Sequence, residues 1–363
     1  VKEVRKPMPK KSVCVKVPKI HGEKAIILLD KLKIATKELK IQKVNDFICI
    51  PLIHQLSEKE LGILKKQVPE FEVSTCTFPE KKKREVTLTE LLEDKLPPHL
   101  LASLPRSMDF VGDIAIAELP PELELHKASI GEAILKLHKN VHTVLAKVGA
   151  VSGVYRIREF EVIAGKPKTD TVHKEYGCKY HVDLVRAYFS PRLSNEHSRV
   201  ASLVREGETV VDLFAGVGPF SILIARRQEN VKVYAVDMNP HAVELLEKNI
   251  SLNKVYGKVS PLLGDAKKIA SRSLSGVADR VIMNLPERAM EFVDAACKAI
   301  KPTGGNIHFY SFASASNTLE DIKHHFVEAV EKSGRKVEKP LYPRFVRATA
   351  PHEWQIVLDA EIR

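Results

Sequence analysis

No apolar run in the 363 residues approaches the length needed to cross a bilayer. The first eleven residues, Val-Lys-Glu-Val-Arg-Lys-Pro-Met-Pro-Lys-Lys, carry charge but no apolar h-region, so they do not read as a secretory signal. Cysteine is scarce. Cys14, Cys49, Cys76, Cys178 and Cys297 are odd in number, widely spaced and form no C-x-x-C. That pattern speaks against a disulfide or zinc framework and for a reducing, cytoplasmic setting. Aromatics are only 6% of the chain, which disfavours sequence-tolerant stacking along a single strand of nucleic acid.

Charge is plentiful and unevenly spread. The net charge is +11; residues 1–85 hold 20 Lys/Arg against 11 Asp/Glu, and the rest hold 37 against 35. A basic module joined to a near-neutral one reads as an arm for a polyanion, with a solvated lysine-rich surface as the plainer alternative. Residues 12–75 have the pattern of a small α/β unit: strands at Val13–Val17 and Phe47–Leu52, helices at Gly22–Leu32 and Leu56–Lys66. The run Lys81-Lys-Lys-Arg84 and prolines 79, 97, 98 and 105 then mark a linker, with one short helix at Thr87–Leu96.

A second unit starts near Arg106. Its spacing predicts a strand at Val111–Ala117, a long helix at Ala128–Val148 and a strand at Val154–Glu159 carrying Arg156 and Arg158. A hairpin follows, Asp170–Tyr176 and Lys179–Arg186, turning at Tyr176-Gly177-Cys178. His138 and His142 fall at i,i+4, but no third ligand is evident and they read as a surface pair. Beyond residue 200, strand-like runs near 209–213, 231–236, 258–263, 279–283 and 305–311 alternate with helical ones near 219–227, 240–250, 287–300 and 316–332. Two last runs, near 336–347 and 353–361, close the sheet. The expected class is α/β: a doubly wound, mostly parallel Rossmann-like sheet preceded by two smaller α/β or α+β units. The domain bounds are then 1–85, a linker at 86–106, a middle unit at 107–185 and a catalytic unit at 186–363.

The densest signal is Val210–Phe220, an apolar strand running into a glycine turn and then a helix. Gly216 and Gly218 allow close backbone approach, and Asp237 ends the next strand, where a carboxylate suits ribose hydroxyls. The dinucleotide fingerprint needs a third glycine, and Ser221 stands there instead. Asp212 adds a carboxylate that a pyrophosphate site would not welcome but that could pair with a cationic amino group. The pattern Asp212-x-Phe214-x-Gly216-x-Gly218 resembles motif I of class I methyltransferases, which bind S-adenosylmethionine. Asp265 is placed at a strand end to accept from an adenine amino group, and Asn284 to offer donor and acceptor to a base edge. Upstream, Tyr188–Arg199 is a polar, aromatic segment that reads as a loop, and its Glu196 is a candidate general base.

Together, Tyr188–Arg199, Asp212–Phe220, Asp237-Met-Asn-Pro-His and Asn284-Leu-Pro resemble the archaeal and eukaryotic tRNA (guanine-N1)-methyltransferase family acting at position 37. The resemblance spans nearly the whole chain. It implies Glu196 as the base for the guanine N1 proton, Arg156 as the donor to O6, Asn284 as the group holding the base edge and Tyr188 as its packing partner. It implies cofactor contacts from His197, Asp237, Met238, Asp265, Ala266 and Asn284, beside Asp212, Phe214, Gly216 and Gly218 of the motif. It further implies a monomeric, cytoplasmic enzyme with tRNA as partner: the N-terminal domain on the outer corner, the other two on the anticodon arm. No metal is needed, because the sulfonium supplies the leaving group. Two rivals stand beside it. One is a wybutosine-pathway transferase, moving an aminocarboxypropyl group or methylating a tricyclic wyosine precursor. The other is an inactive tRNA-binding protein.

Overall fold

The computed structural model describes residues 9–81, 86–153 and 155–363. Lys82–Arg84 of the basic run and Val154 lie outside them. The chain divides into two compact units at Val86/Thr87. No helix among the described residues is long and apolar enough to cross a membrane.

The first unit is an antiparallel sheet with two helices on one face. Its elements are β1 (Lys10–Pro18), α1 (Lys19–Lys31), β2 (Gln42–Val44), β3 (Phe47–Pro51), α2 (Glu58–Gln67) and β4 (Glu72–Phe78), and the strand order is β2-β3-β1-β4. Val15 and Val17 pair with Ile50 and Ile48, so all four share a face, and they bury against Ala25, Leu28 and Leu29 of α1 and Leu64 of α2. Ser57 starts α2 with a capping box closed by Glu60.

The second unit begins with α3 (Leu88–Leu92) and α4 (Pro98–Ala102), in the stretch expected to be a linker. Leu92, Leu96, Leu100 and Leu104 bury in one core with Ile130, Ile134 and Val144, so prolines 97 and 98 start a helix rather than open a tether. A four-stranded sheet follows, in order β5 (Asp109–Val111), β6 (Ile114–Ala117), β7 (Thr143–Ser152), β8 (Ile157–Gly165), with α5 (Lys127–Leu137) as the crossover between parallel β6 and β7.

Three expectations change in this region. The strand at 111–117 is a hairpin broken at Gly112, whose φ is +56°. The helix expected over 128–148 stops at Leu137, and Thr143–Ser152 becomes a central strand instead. The apolar spacing there serves either element, and pairing with β6 and β8 decides it. His138 and His142 therefore share no helix: His138 lies beside the Phe110 ring and His142 bonds Asp113. Arg156 precedes β8 rather than sitting in it, with φ +55°.

The hairpin β9 (Asp170–Glu175) and β10 (Cys178–Asp183) turns at Tyr176-Gly177 as expected. It is fastened by two buried amides of the later helix α8 (Pro240–Asn253): Asn249 and Asn253 accept from the His181 and Lys179 backbone N–H and donate back to their carbonyls. The polar segment expected as a loop over 188–199 becomes α6 (Ser194–Leu203) from Ser194 onward.

The large sheet has seven strands: β11 (Thr209–Asp212), β12 (Lys232–Asp237), β13 (Val259–Leu263), β14 (Arg280–Met283), β15 (Gly305–Ala313), β16 (Pro343–Ala350) and β17 (Glu353–Ile362). Their order is β13-β12-β11-β14-β15-β17-β16, parallel except for the last two, which enter antiparallel. Helices α7 (Pro219–Arg227), α8, α9 (Ala266–Arg272), α10 (Val293–Ala299) and α11 (Leu319–Lys332) connect them. Short α9 had no counterpart in the sequence reading. β11 and β14 are almost wholly buried, as central parallel strands are when both faces are covered. Strand order reverses between β11 and β14, which opens a crevice beyond their carboxyl ends.

Candidate active site

A cavity of about 360 Å³ sits at that crevice. Its floor is the turn after β11. Gly216 and Gly218 both have positive φ, +54° and +91°, and a Cβ on Gly218 would collide with Leu246. Pro219 then starts α7 in its first helical position. Asp237, at the tip of β12, binds this turn to its own: one carboxylate oxygen accepts from Gly216 N–H at 2.7 Å, the other from Asn239 N–H at 2.9 Å. Burial pushes the Asp237 carboxyl above its ordinary value, against the pull of these backbone donors.

The side walls come from the tips of β13 and β14. Asp265 caps α9 by accepting from Lys267 and Lys268 N–H. Asn284 follows β14, and its side-chain oxygen accepts from Gln355 at 3.2 Å. Phe214 meets Phe292 edge-on at 4.9 Å, and Ala242, Ala266 and Leu285 add apolar surface. This combination, an apolar slot with a carboxylate at two strand tips, suits a nucleoside.

The roof comes from the middle part of the unit. The Arg156 guanidinium lies 5.1 Å over the Tyr188 ring, and its Nη2 donates to Glu287 at 3.0 Å. Its Nε is buried and has no partner. A buried unpartnered donor in a cavity wall is costly unless a ligand satisfies it.

Of the residues expected at the site, the structure gathers Arg156, Tyr188, Phe214, Gly216, Asp237, Met238, Asp265, Ala266 and Asn284 around this one cavity. Glu196, His197, Asp212 and Gly218 do not line it. Gly218 acts from behind as the α7 cap. Asp212 is fully buried under the turn, where Ser221 Oγ donates to one oxygen at 2.8 Å and the other has no partner. Burial, with some repulsion from Asp237, raises its carboxyl to about 7. His197 is held by Glu175 at 2.7 Å and packs edge-on against Phe220.

Glu196 is not a solvated loop residue. It lies in the first turn of α6, only 8% exposed, and accepts from Arg199 Nε and Nη2 at 2.9–3.0 Å and from the Tyr310 hydroxyl at 2.9 Å. Arg199 continues to Asp359, Asp359 to His308, His308 to Arg280 and Arg280 to Glu208. Burial alone would lower the Arg199 value, but the Glu196 and Asp359 carboxylates outweigh it and keep the guanidinium charged. This buried chain was missed in the sequence, as were Tyr155, Lys267, Glu287 and Arg288 of the cavity wall. Glu287 had a faint signal: it follows Asn284-Leu-Pro by one residue.

Known proteins match this chain along nearly its whole length. A family model described as the TRM5/TYW2 methyltransferase domain matches residues 171–338. The TYW2 N-terminal domain matches 88–169, and the tRNA methyltransferase 5 N-terminal domain matches 14–60. The tRNA (guanine(37)-N(1))-methyltransferase Trm5b of Pyrococcus abyssi is 39% identical over 97% of this chain and 99% of its own. The chain belongs to the TRM5/TYW2 family of tRNA methyltransferases, which carry the class I, S-adenosylmethionine-dependent fold. Among solved structures of the family, a complex of aTrm5 with tRNALeu aligns with TM-score 0.69 and 35% identity, covering 97% of this chain and 100% of the other. Pyrococcus horikoshii TYW2 in complex with MeSAdo aligns with TM-score 0.64 and 32% identity, covering 76% of this chain and 97% of the other.

Proposed function

We propose that this member of the family methylates N1 of guanosine 37 in tRNA, with S-adenosylmethionine as donor. The observation that carries the reading is Arg156: a buried guanidinium N–H without a partner, in the wall of the same cavity as Asn284. The donor, when bound, supplies a methyl group already activated on a sulfonium. Asp237 would hold its ribose, Asp265 its adenine amino group, and the Phe214–Ala266 slot its ring.

Guanine N1 carries a proton and is a poor nucleophile until a base takes it. As the proton leaves, charge grows on O6, and the Arg156 guanidinium would meet it, its covered Nε gaining a partner as the side chain turns to the base. Asn284 fixes the base edge, and Tyr188 stacks against Arg156 to hold the guanidinium in plane. Glu196 is the base by resemblance. Its reach into the cavity requires it to release Arg199 or Tyr310, a rearrangement common when catalytic contacts tighten only in the complex. Glu287 is the competing base, because it lines the cavity beside Arg156 already. The basic N-terminal unit would grip tRNA at a second place, raising the effective concentration of the anticodon arm.

The wybutosine-pathway alternative is weaker on coverage: TYW2 of P. horikoshii aligns to 76% of the chain, while Trm5b aligns to 97% and includes the first unit. The test is nucleoside analysis after incubation with labelled donor and guanosine-37 tRNA. N1-methylguanosine is the expected product; an aminocarboxypropyl or tricyclic product alone would overturn the assignment. Glu196→Gln should lower kcat by about 10²–10⁴, the range for a general base. If Glu287→Gln loses that much and Glu196→Gln does not, Glu287 is the base.

A further inference from the structure

Three thiols of the N-terminal unit converge although they lie far apart in sequence. Cys49, Cys14 and Cys76 occupy β3, β1 and β4, which are adjacent in that order. Cys14 pairs with Pro51 and Ser74, Cys49 with Lys16, and Cys76 with Ser12. Residues two apart on a strand share a face, so the three cysteines form a diagonal row on one face of the sheet. Their sulfurs all lie within 4.8 Å of one another. This is the face away from α1 and α2, where only Leu39 and Phe78 complete a small separate cluster.

We propose that Cys14, Cys49 and Cys76 form a thiolate site for a thiophilic divalent d10 cation of the Zn2+ class, which clips β3, β1 and β4 together. The donor set decides the class. No His, Asp or Glu among the described residues joins the three sulfurs, and an all-sulfur set selects soft ions over Mg2+ or Ca2+. Tetrahedral Zn2+ with bonds of about 2.3 Å places its sulfurs about 3.8 Å apart, within side-chain adjustment of the observed spread. Cys14 and Cys49 are buried and Cys76 is half-buried, so the ion has an access route and a fourth position open to water.

A disulfide fits less well. Diagonal neighbours on adjacent strands have Cα atoms about 7–8 Å apart, and a disulfide needs about 6.8 Å or less. Binding would break three S–H bonds, form three metal–sulfur bonds and release three protons to solvent, with no electron transferred. Three thiolates around a divalent ion leave one net negative charge, and Lys16, whose ammonium also pairs with Glu72 at 3.5 Å, stands opposite Cys49 on the same face.

The test uses the full reduced chain, stripped of metal and titrated with Cd2+ as the spectroscopic stand-in. One equivalent should produce a thiolate-to-metal absorption band, and Zn2+ should displace it. Cys76→Ser should weaken binding at least tenfold and Cys14→Ser should abolish it, while Cys178→Ser and Cys297→Ser leave it unchanged. Circular dichroism checks that Cys14→Ser is folded; if it is not, half-buried Cys76 decides. A missing one-equivalent band, a Cd2+ affinity unchanged by Cys76→Ser, or fewer than five thiols in the chain denatured with chelator and without reductant would overturn the site. None of these readouts depends on methyl transfer.

Discussion

The cavity at the strand tips and the buried charge chain behind it are built from similar residues and behave in opposite ways. In the cavity, polar groups keep spare capacity: Arg156 has an unpartnered N–H, and Asp237 accepts from backbone alone. In the chain from Glu196 to Glu208, each charge meets an opposite charge or a donor on a different element, and the links tie α6 to β14, β15 and β17. Spare capacity is what a ligand consumes. Full pairing is what holds distant segments in one geometry, because removing any member strands the others. The two regions should therefore separate cleanly under mutation, stability following the chain and ligand affinity following the cavity.

The sharpest separation comes from Arg199→Ala. It leaves Glu196 and Asp359 without their shared cation in a mostly buried site, and should cost about 3–5 kcal/mol in denaturant unfolding. The same chain predicts acid sensitivity. Burial would raise the Asp359 carboxyl, but His308 and Arg199 outweigh it and hold it well below the ordinary range. A carboxyl with a depressed folded value contributes stability above its unfolded value near pH 4, and that contribution drains away as pH falls further. Wild type should lose stability on that acid limb and Arg199→Ala should lose less. Equal acid sensitivity in both would break the comparison.

Asp212 inverts the sign. Its folded value, about 7, exceeds the unfolded value near 4, so the native state holds the proton more tightly. Stability of the ligand-free protein should fall as pH rises from 4 to 7 and then level off. Asp212→Asn removes this penalty and should stabilise the ligand-free protein at pH 8 by up to about 4 kcal/mol. If Asp212 also serves the donor's cationic end, the same variant binds S-adenosylmethionine more weakly. Calorimetry separates the two effects: a variant that is both less stable and unchanged in affinity would sink both readings.

Legibility in the sequence followed the same division. The cavity floor could be read because its geometry is local: Gly216, Gly218, Pro219 and Asp237 specify turns within a few residues of themselves. Strand tips came with them, since alternation of strand and helix implies where a doubly wound sheet opens. The chain could not be read. Ser-Asn-Glu-His-Ser-Arg has the composition of a solvated loop, and what makes it a buried helix is contact with Tyr310 and Asp359, 114 residues beyond Glu196 and 160 beyond Arg199. Val141–Val148 failed for a related reason, because its apolar spacing fits helix and strand until β6 chooses. The three cysteines of the first unit are the same lesson in a sheet. Spacings of 35 and 27 residues hide a diagonal row that only strand register reveals.

The smallest expected effect probes the border between the two regions. Tyr310 is fully buried and donates one hydrogen bond to Glu196, which keeps its contacts with Arg199 when that bond is lost. Tyr310→Phe should therefore cost only about 1 kcal/mol of stability. Its effect on rate discriminates more finely. The same hydroxyl helps hold Glu196 in its paired position, so losing it eases the swing of that carboxylate toward the cavity. If Glu196 is the base, Tyr310→Phe should change kcat at saturating tRNA, while the affinity for S-adenosylmethionine stays put. If Glu287 is the base, kcat should not change, because Tyr310 has no hydrogen bond to it. A changed kcat would mean that one carboxylate belongs to both regions, structural at rest and catalytic once tRNA is bound.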